Sequence, residues 1–150
     1  MSSGWSHGVN TKQIGNKTEA RILSTLVAAG YGVSIPFGDN EKYDLILDDG
    51  SRLYRVQCKT GWREDACIRF KTGSKTTVDG DPTVVDYDTT VDAFAVRCRD
   101  SGELYWVPSD DVGKKSTYLR LTEPAIDHPR VRLATDYLLE DRLTHLEDTR

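Results

Sequence analysis

The chain has 150 residues, 37% of them apolar, and a formal net charge of −4. That length supports one hydrophobic core and leaves no stretch for a second module. No window approaches the roughly 18 to 20 apolar residues of a membrane span, and the opening MSSGWSHGVN has no apolar run of the signal-peptide kind, so a cytoplasmic protein with no membrane partner is expected.

The net charge hides a division. Between Arg52 and Lys75 there are seven basic and two acidic residues, a balance of +5, whereas Thr76 to Asp111 carries nine acidic residues against Arg97 and Arg99, a balance of −7. A basic stretch on an acidic body is the pattern of a DNA footprint, and equally of a solvated charged face. Asp outnumbers Glu 17 to 7 and Arg outnumbers Lys 12 to 8, a bias resembling proteins of salt-saturated cytoplasm, so a halophilic archaeon or its virus is the expected source. Cys58, Cys67 and Cys98 are odd in number and nowhere form C-x-x-C, which argues against a disulfide framework or a zinc knuckle. His7, His128 and His145 are scattered and read as incidental.

In chain order, Ile14, Ile22, Leu23, Leu26 and Val27 recur at helical spacing between Thr11 and Ala29, with Thr11 near the N-cap and Gly30 as the stop. YGVSIPF (31–37) reads as a short strand. YDLIL and RLYRVQCKT flank DDGS, where Asp49-Gly50 predicts a two-residue hairpin turn pairing Asp48 with Ser51 and Asp44 with Arg55. CIRFK predicts another strand, and TGSKTTVDGDPT (72–83) a long mobile loop. VDAFAVRCRDSGELYWVP alternates about DSGE as a second hairpin, TYLRL predicts a strand, and TDYLLEDRLTHLE a weak C-terminal helix. The order gives an α/β domain with a mixed central β-sheet flanked by helices, spanning residues 1–150, with 1–9 and 141–150 expected as disordered tails.

In the predicted register Asp44, Arg55, Gln57 and Lys59 share one face of the hairpin, and Leu45, Leu47, Tyr54, Val56 and Cys58 the other. Glu19 precedes Ile22 and Leu23 by three and four residues and so lies on the apolar stripe of its helix, a costly place for a carboxylate that is neither paired nor metal-bound. Gly15, one turn earlier, leaves room for a backbone or ligand at a cost of about 1 kcal/mol in helix propensity. Each residue also has a plain structural reading: Glu19 paired with Lys59, Asp44 capping a loop, Gln57 and Lys59 solvated on a strand. Their joint spacing favours convergence.

Gly15-x-x-x-Glu19 on a first helix, Asp44 on a strand and Gln57-x-Lys59 after a hairpin resemble the PD-(D/E)xK nuclease superfamily, with its restriction-endonuclease-like core. VSIPFGDNEKYDLILDDGSRLYRVQCKTG, with VDAFAVRC and ELYWVP downstream, is most similar to the PD-(D/E)xK homing endonucleases encoded in group I introns, over about residues 10–108. Tyr43 stands where the superfamily name has Pro, and Gln57 where it has Asp or Glu; Gln is what the intron-encoded group resembles there. The resemblance implies a Mg2+-dependent DNA endonuclease, with Mn2+ able to substitute. Glu19, Asp44, Gln57 and Lys59 are then the catalytic residues. Asp44, Glu19, the backbone carbonyl of Cys58 and the Gln57 amide hold the metal, and Lys59 orients the attacking water or offsets charge.

Lys12, Lys17, Arg55, Arg63, Lys71 and Lys75 are candidate phosphate contacts, and the 62–83 region the candidate for base readout. Trp62 reads either as a DNA-stacking group or, more simply, as packing. One cut per protomer implies a homodimer or homotetramer on double-stranded or branched DNA. The alternatives are an archaeal-type Holliday junction resolvase, a non-catalytic DNA-binding module on the same fold, and a halophilic interaction domain without nucleic acid.

Overall fold

The computed structural model describes residues 10–38, 40–78, 81–85, 91–123 and 131–148, with the side chains of 74–78, 81–85 and 144–148 left aside. Helix α1 (Thr11–Ala28) starts at Thr11, and its cap is Asn10, one residue before the expected one. Asn10 Oδ1 accepts from the backbone N–H of Lys12 (3.0 Å) and Gln13 (3.2 Å), satisfying two N–H groups that have no partner within the helix. The helix stops at Gly30, whose φ of 95° favours glycine, with Gly30 N–H on Val27 O (3.0 Å) and Tyr31 N–H on Leu26 O (3.2 Å). The buried stripe is Thr18, Ile22 and Leu26, while Val27 is exposed.

Among the described residues nine strands follow: β1 (Gly32–Ser34), β2 (Leu45–Asp48), β3 (Leu53–Glu64), β4 (Cys67–Lys71), β5 (Ser74–Val78), β6 (Asp81–Val85), β7 (Ala93–Cys98), β8 (Leu104–Pro108) and β9 (Ser116–Arg120), before helix α2 (Leu139–Asp148). Seven of them form one mixed sheet built on the 12-residue β3. Along one edge β3 pairs antiparallel with β2 as far as Val56 and then with β4 from Trp62. Along the other it runs parallel to β7 from Val56 to Gly61. The sheet therefore forks, and between the ends of β2 and β4 one edge of β3 faces no strand among the described residues.

Two cores flank this sheet. Ile22 and Leu26 of α1, Leu45, Leu47, Tyr54 and Val56 of the hairpin, and Leu139 and Leu143 of α2 share the first; Ile68, Phe70, Phe94, Val96 and Leu119 the second. Each such side chain, fully buried, is worth about 1.5–3 kcal/mol. β7 is buried along nearly its whole length, as suits a central strand.

The α/β mixed sheet agrees with expectation, but three local readings change. The first hairpin has a four-residue loop: Asp48 pairs with Leu53 and Ile46 with Arg55. The buried Asp49 carboxylate takes the N–H groups of Ser51 (2.9 Å) and Arg52 (2.7 Å), building the turn on its own side chain. The register differs from the predicted one by two residues, so every residue keeps its face. Second, 72–83 is not a structureless loop: β5 and β6 form a separate two-stranded antiparallel ribbon, and the pairing of Val78 with Asp81 leaves Asp79-Gly80 between them. Third, the tail expected from residue 141 is helical to Asp148, with Leu143 buried. Residues 1–9, with His7, and 149–150 lie outside the described residues, as do His128 and the His145 side chain. Among the described residues no helix is long and apolar enough to cross a membrane.

Gly61 marks the tightest point on β3. A Cβ there would sit 3.1 Å from Arg69 O, 3.1 Å from Val96 Cγ1 and 3.2 Å from Ile68 Cγ2. Gly61→Ala is expected to cost about 1–3 kcal/mol by overpacking, read from the urea midpoint. An unchanged midpoint contradicts the packing described.

Candidate active site

The site forms where β2 has ended and the edge of β3 is free. Asp44, just before β2, donates its backbone N–H to Val56 O (2.8 Å) and accepts the Cys58 N–H on its carboxylate Oδ2 (2.7 Å). Its side chain thus takes the place that a further β2 residue would occupy. N–H and C=O of one strand residue point to the same edge, so the Cys58 carbonyl emerges in this gap beside Asp44. Gln57 and Lys59 alternate with Cys58 and share the opposite face from its side chain; both are half-buried. Glu19 approaches from α1, on the face where Cys58 packs against the first core.

Electrostatics show that these groups act on one another. Partial burial pushes the Asp44 carboxyl above its usual range, opposed by the Cys58 N–H bond and by Lys59. Glu19 is raised by burial and then by the Asp44 charge. Burial lowers Lys59, with Asp44 pulling the other way. The Cys58 thiol is pushed far up by burial and by both carboxylates, which leaves it an inert neutral group. Among the described residues neither Asp44 nor Glu19 is in an ion pair. The Asp44 carboxylate is thus held by a backbone N–H rather than by a cation.

The donor set suits a hard divalent cation. Two carboxylates and a strand carbonyl are oxygen donors, the kind of group that hard divalent cations take. Among the described residues no group of three or more His, Cys, Asp or Glu side chains could hold a metal ion, so the side-chain carboxylates at this site number two. Gly15 faces open space, without the close-approaching backbone that was one expectation for it.

The predicted phosphate contacts divide. Lys12 lies seven residues before Glu19 and shares its flank of α1. Lys17, about 160° away around the helix, instead lines a groove of roughly 1030 Å³ with Arg21, Arg97, Glu103 and Leu139. Arg55 is tied to Asp92, which accepts its backbone N–H (2.8 Å) and its Nε (3.2 Å), so it does not join Asp44 as the two-residue turn predicted. Arg63 and Lys71 are exposed on β3 and β4, and the Lys75 side chain lies outside the described residues. Trp62 packs: its Nε1 donates to Glu64 (3.2 Å), and Arg69 sits over its ring at 5.5 Å and over Tyr118 at 5.3 Å.

One cluster escaped the sequence reading. Thr18 Oγ1 lies 2.6 Å from Thr60 Oγ1 and accepts from Arg97 Nε at 3.0 Å. The signal was a threonine four and eight residues before Ile22 and Leu26 on the buried stripe; nothing local points to Arg97.

A sequence profile described as PD-(D/E)XK endonuclease matches residues 9–140. The chain belongs to that family. Among solved structures this PD-(D/E)XK chain is similar to a bacterial homing endonuclease, I-Ssp6803I, with a TM-score of 0.74 and 22% identity over 94% of this chain and 97% of that one. At that identity the likeness shows the fold, the restriction-endonuclease-like arrangement expected. No curated protein matches the chain. Both likenesses extend beyond residue 108, in keeping with the buried residues of the last 40 positions.

The raised carboxyls have a pH consequence. Both folded-state pKa values lie above the ordinary 3.8 and 4.5, so protonation favours the fold; that stability is complete below the ordinary values and lost as pH rises through the raised ones. Asp44→Asn, which keeps an oxygen for the Cys58 N–H, is expected to raise the metal-free Tm at pH 7 and to lose this advantage by about pH 4. Mg2+ should raise the Tm of the parent protein at pH 7 but not that of the variant. A variant less stable than the parent at pH 7 contradicts the electrostatic account.

Proposed function

We propose that the chain is a Mg2+-dependent endonuclease hydrolysing DNA phosphodiester bonds, of homing or restriction type, with Mn2+ as a substitute. The observation that carries this reading is the convergence of Asp44, Glu19 and Lys59 at the unpaired edge of β3, with both carboxylates raised in pKa and free of ion pairs. Asp44 and the Cys58 carbonyl would hold the cation, with Glu19 supporting it directly or through water and Gln57 adding a neutral oxygen; a divalent cation there would supply polarisation of the phosphate and a more acidic water.

Hydrolysis adds water across a P–O bond: the water oxygen bonds to phosphorus, the leaving sugar oxygen departs, and that oxygen takes up a proton. Lys59 orients the water and offsets the charge developing on the phosphate. Its ammonium is partly desolvated, so its field is screened less than that of a surface lysine. Gln57 in place of a carboxylate removes one negative charge, which weakens cation binding and reduces repulsion of the phosphate.

Lys12, Arg63 and Lys71 are proposed to neutralise backbone phosphates, and the β5–β6 ribbon, which pairs with no other strand among the described residues, to read base edges in a groove. A duplex break needs two such sites, hence a homodimer or homotetramer. The Asp-rich composition extends the proposal to a salt-adapted cytoplasmic protein whose DNA affinity still falls as salt rises.

Nicking assays on duplex and four-way-junction DNA, with and without Mg2+, test the reading. Asp44→Ala and Glu19→Ala are expected to abolish cleavage while folding normally, and Lys59→Ala to lower the rate by about 10²-fold or more. Gln57→Glu should retain nicking and bind metal more tightly, and Gln57→Leu lose most activity. Full activity of the Asp44 variant overturns the site, and preference for junctions turns the reading to a resolvase.

A further inference from the structure

The catalytic reading places Glu19 on α1 and Lys59 on β3, and their separation depends on how the helix sits on the strand. That seating is uneven. Ile22 and Leu26 anchor the C-terminal half of α1 in the first core, whereas residues 11–17 are exposed except for a half-buried Ile14. Thr18, 1% exposed, is the first buried residue of the helix. Glu19 therefore stands where apolar packing runs out, next to a like charge on Asp44 that pushes helix from strand.

At this boundary Thr18 Oγ1 meets Thr60 Oγ1 at 2.6 Å and accepts from Arg97 Nε at 3.0 Å. Thr18 is the residue before Glu19 and Thr60 the residue after Lys59. Arg97 lies on β7, opposite Thr60 in the parallel register, so the bridge spans α1, β3 and β7 at one level. A buried hydroxyl linked to a charged donor and to a second hydroxyl is directional in a way that leucine packing is not.

We infer that the Thr18–Thr60–Arg97 bridge positions Glu19 against Asp44 and Lys59, so that these three are positioning residues for the cleavage site. The inference rests on the nuclease reading of the cleft. The bridge holds α1 against the carboxylate repulsion, and removing it lets the helix shift along the strand. A displacement of about 1 Å at a reacting centre costs on the order of 10²-fold in rate.

The test compares the parent with Thr18→Val, Thr18→Ser, Thr60→Val and the Thr18→Val/Thr60→Val double variant. Leu119→Ala, in the second core and away from α1, serves as a core-cavity control. Tm, kcat and KM on intact duplex, and Mn2+ binding by calorimetry are measured below every melting transition. Expected are a kcat lowered about 10- to 100-fold in Thr18→Val with KM little changed. Weaker Mn2+ binding, rescue of both by Thr18→Ser, and a double variant no worse than the singles should accompany it. Leu119→Ala should lose Tm but keep kcat.

Parental kcat and Mn2+ affinity in Thr18→Val overturn the bridge, as does an equal kcat loss in Leu119→Ala. If Thr18→Val does not fold, the half-buried Thr60→Val decides on the same criteria. A parent that neither binds Mn2+ nor cuts DNA overturns the nuclease reading and the bridge with it. A parent that cuts beside an equally active Thr18→Val overturns the bridge alone.

Discussion

Two carboxylates held close together in a partly desolvated cleft repel each other, and much of this architecture can be understood as what keeps Asp44 and Glu19 there. Among the described residues neither is in an ion pair, and both are raised in pKa by burial. Such a pair is a standing cost to the fold unless a cation occupies the space between. Strain of this kind is the usual mark of a site kept for chemistry rather than for stability.

The fork of the sheet makes the cleft. Because the pairing of β3 with β2 stops at Val56, opposite Leu45, and that with β4 begins only at Trp62, the middle of β3 offers its N–H and C=O groups to something other than a strand. Asp44 takes the Cys58 N–H, and the Cys58 carbonyl remains beside it. The parallel partner β7, buried on both faces, holds the other edge rigidly. One strand can then carry a core face with Tyr54 and Val56 and, further along, a functional edge.

Much of this was legible in residues 43–61 because strand alternation survives a slip of two. Asp49-Gly50 announced a hairpin but not its loop length; the Asp49 carboxylate captured two amides and lengthened the turn, so Gln57 and Lys59 stayed on the predicted face while Arg55 lost Asp44 as its partner. Long-range pairings left no local trace: Asp92 on Arg55, Arg97 on Thr18, and the groove that takes Lys17 away from the cleft. The β5–β6 ribbon hid in a composition of Gly, Thr and Asp that reads as loop, although Asp79-Gly80 carried the two-residue turn signal. Leu139 and Leu143 were unreadable as core because their partners on α1 and β8 are remote in sequence.

The central claim is that the free edge of β3 is a divalent-cation site. The most direct measurement is a crystal of the protein soaked in Mn2+ and examined by anomalous scattering. The account predicts a single strong peak within coordination distance of the Asp44 carboxylate and the Cys58 carbonyl, on the side facing Glu19, about 2.0–2.3 Å from each oxygen. A saturating soak with no peak there, or with manganese bound only elsewhere on the molecule, contradicts it.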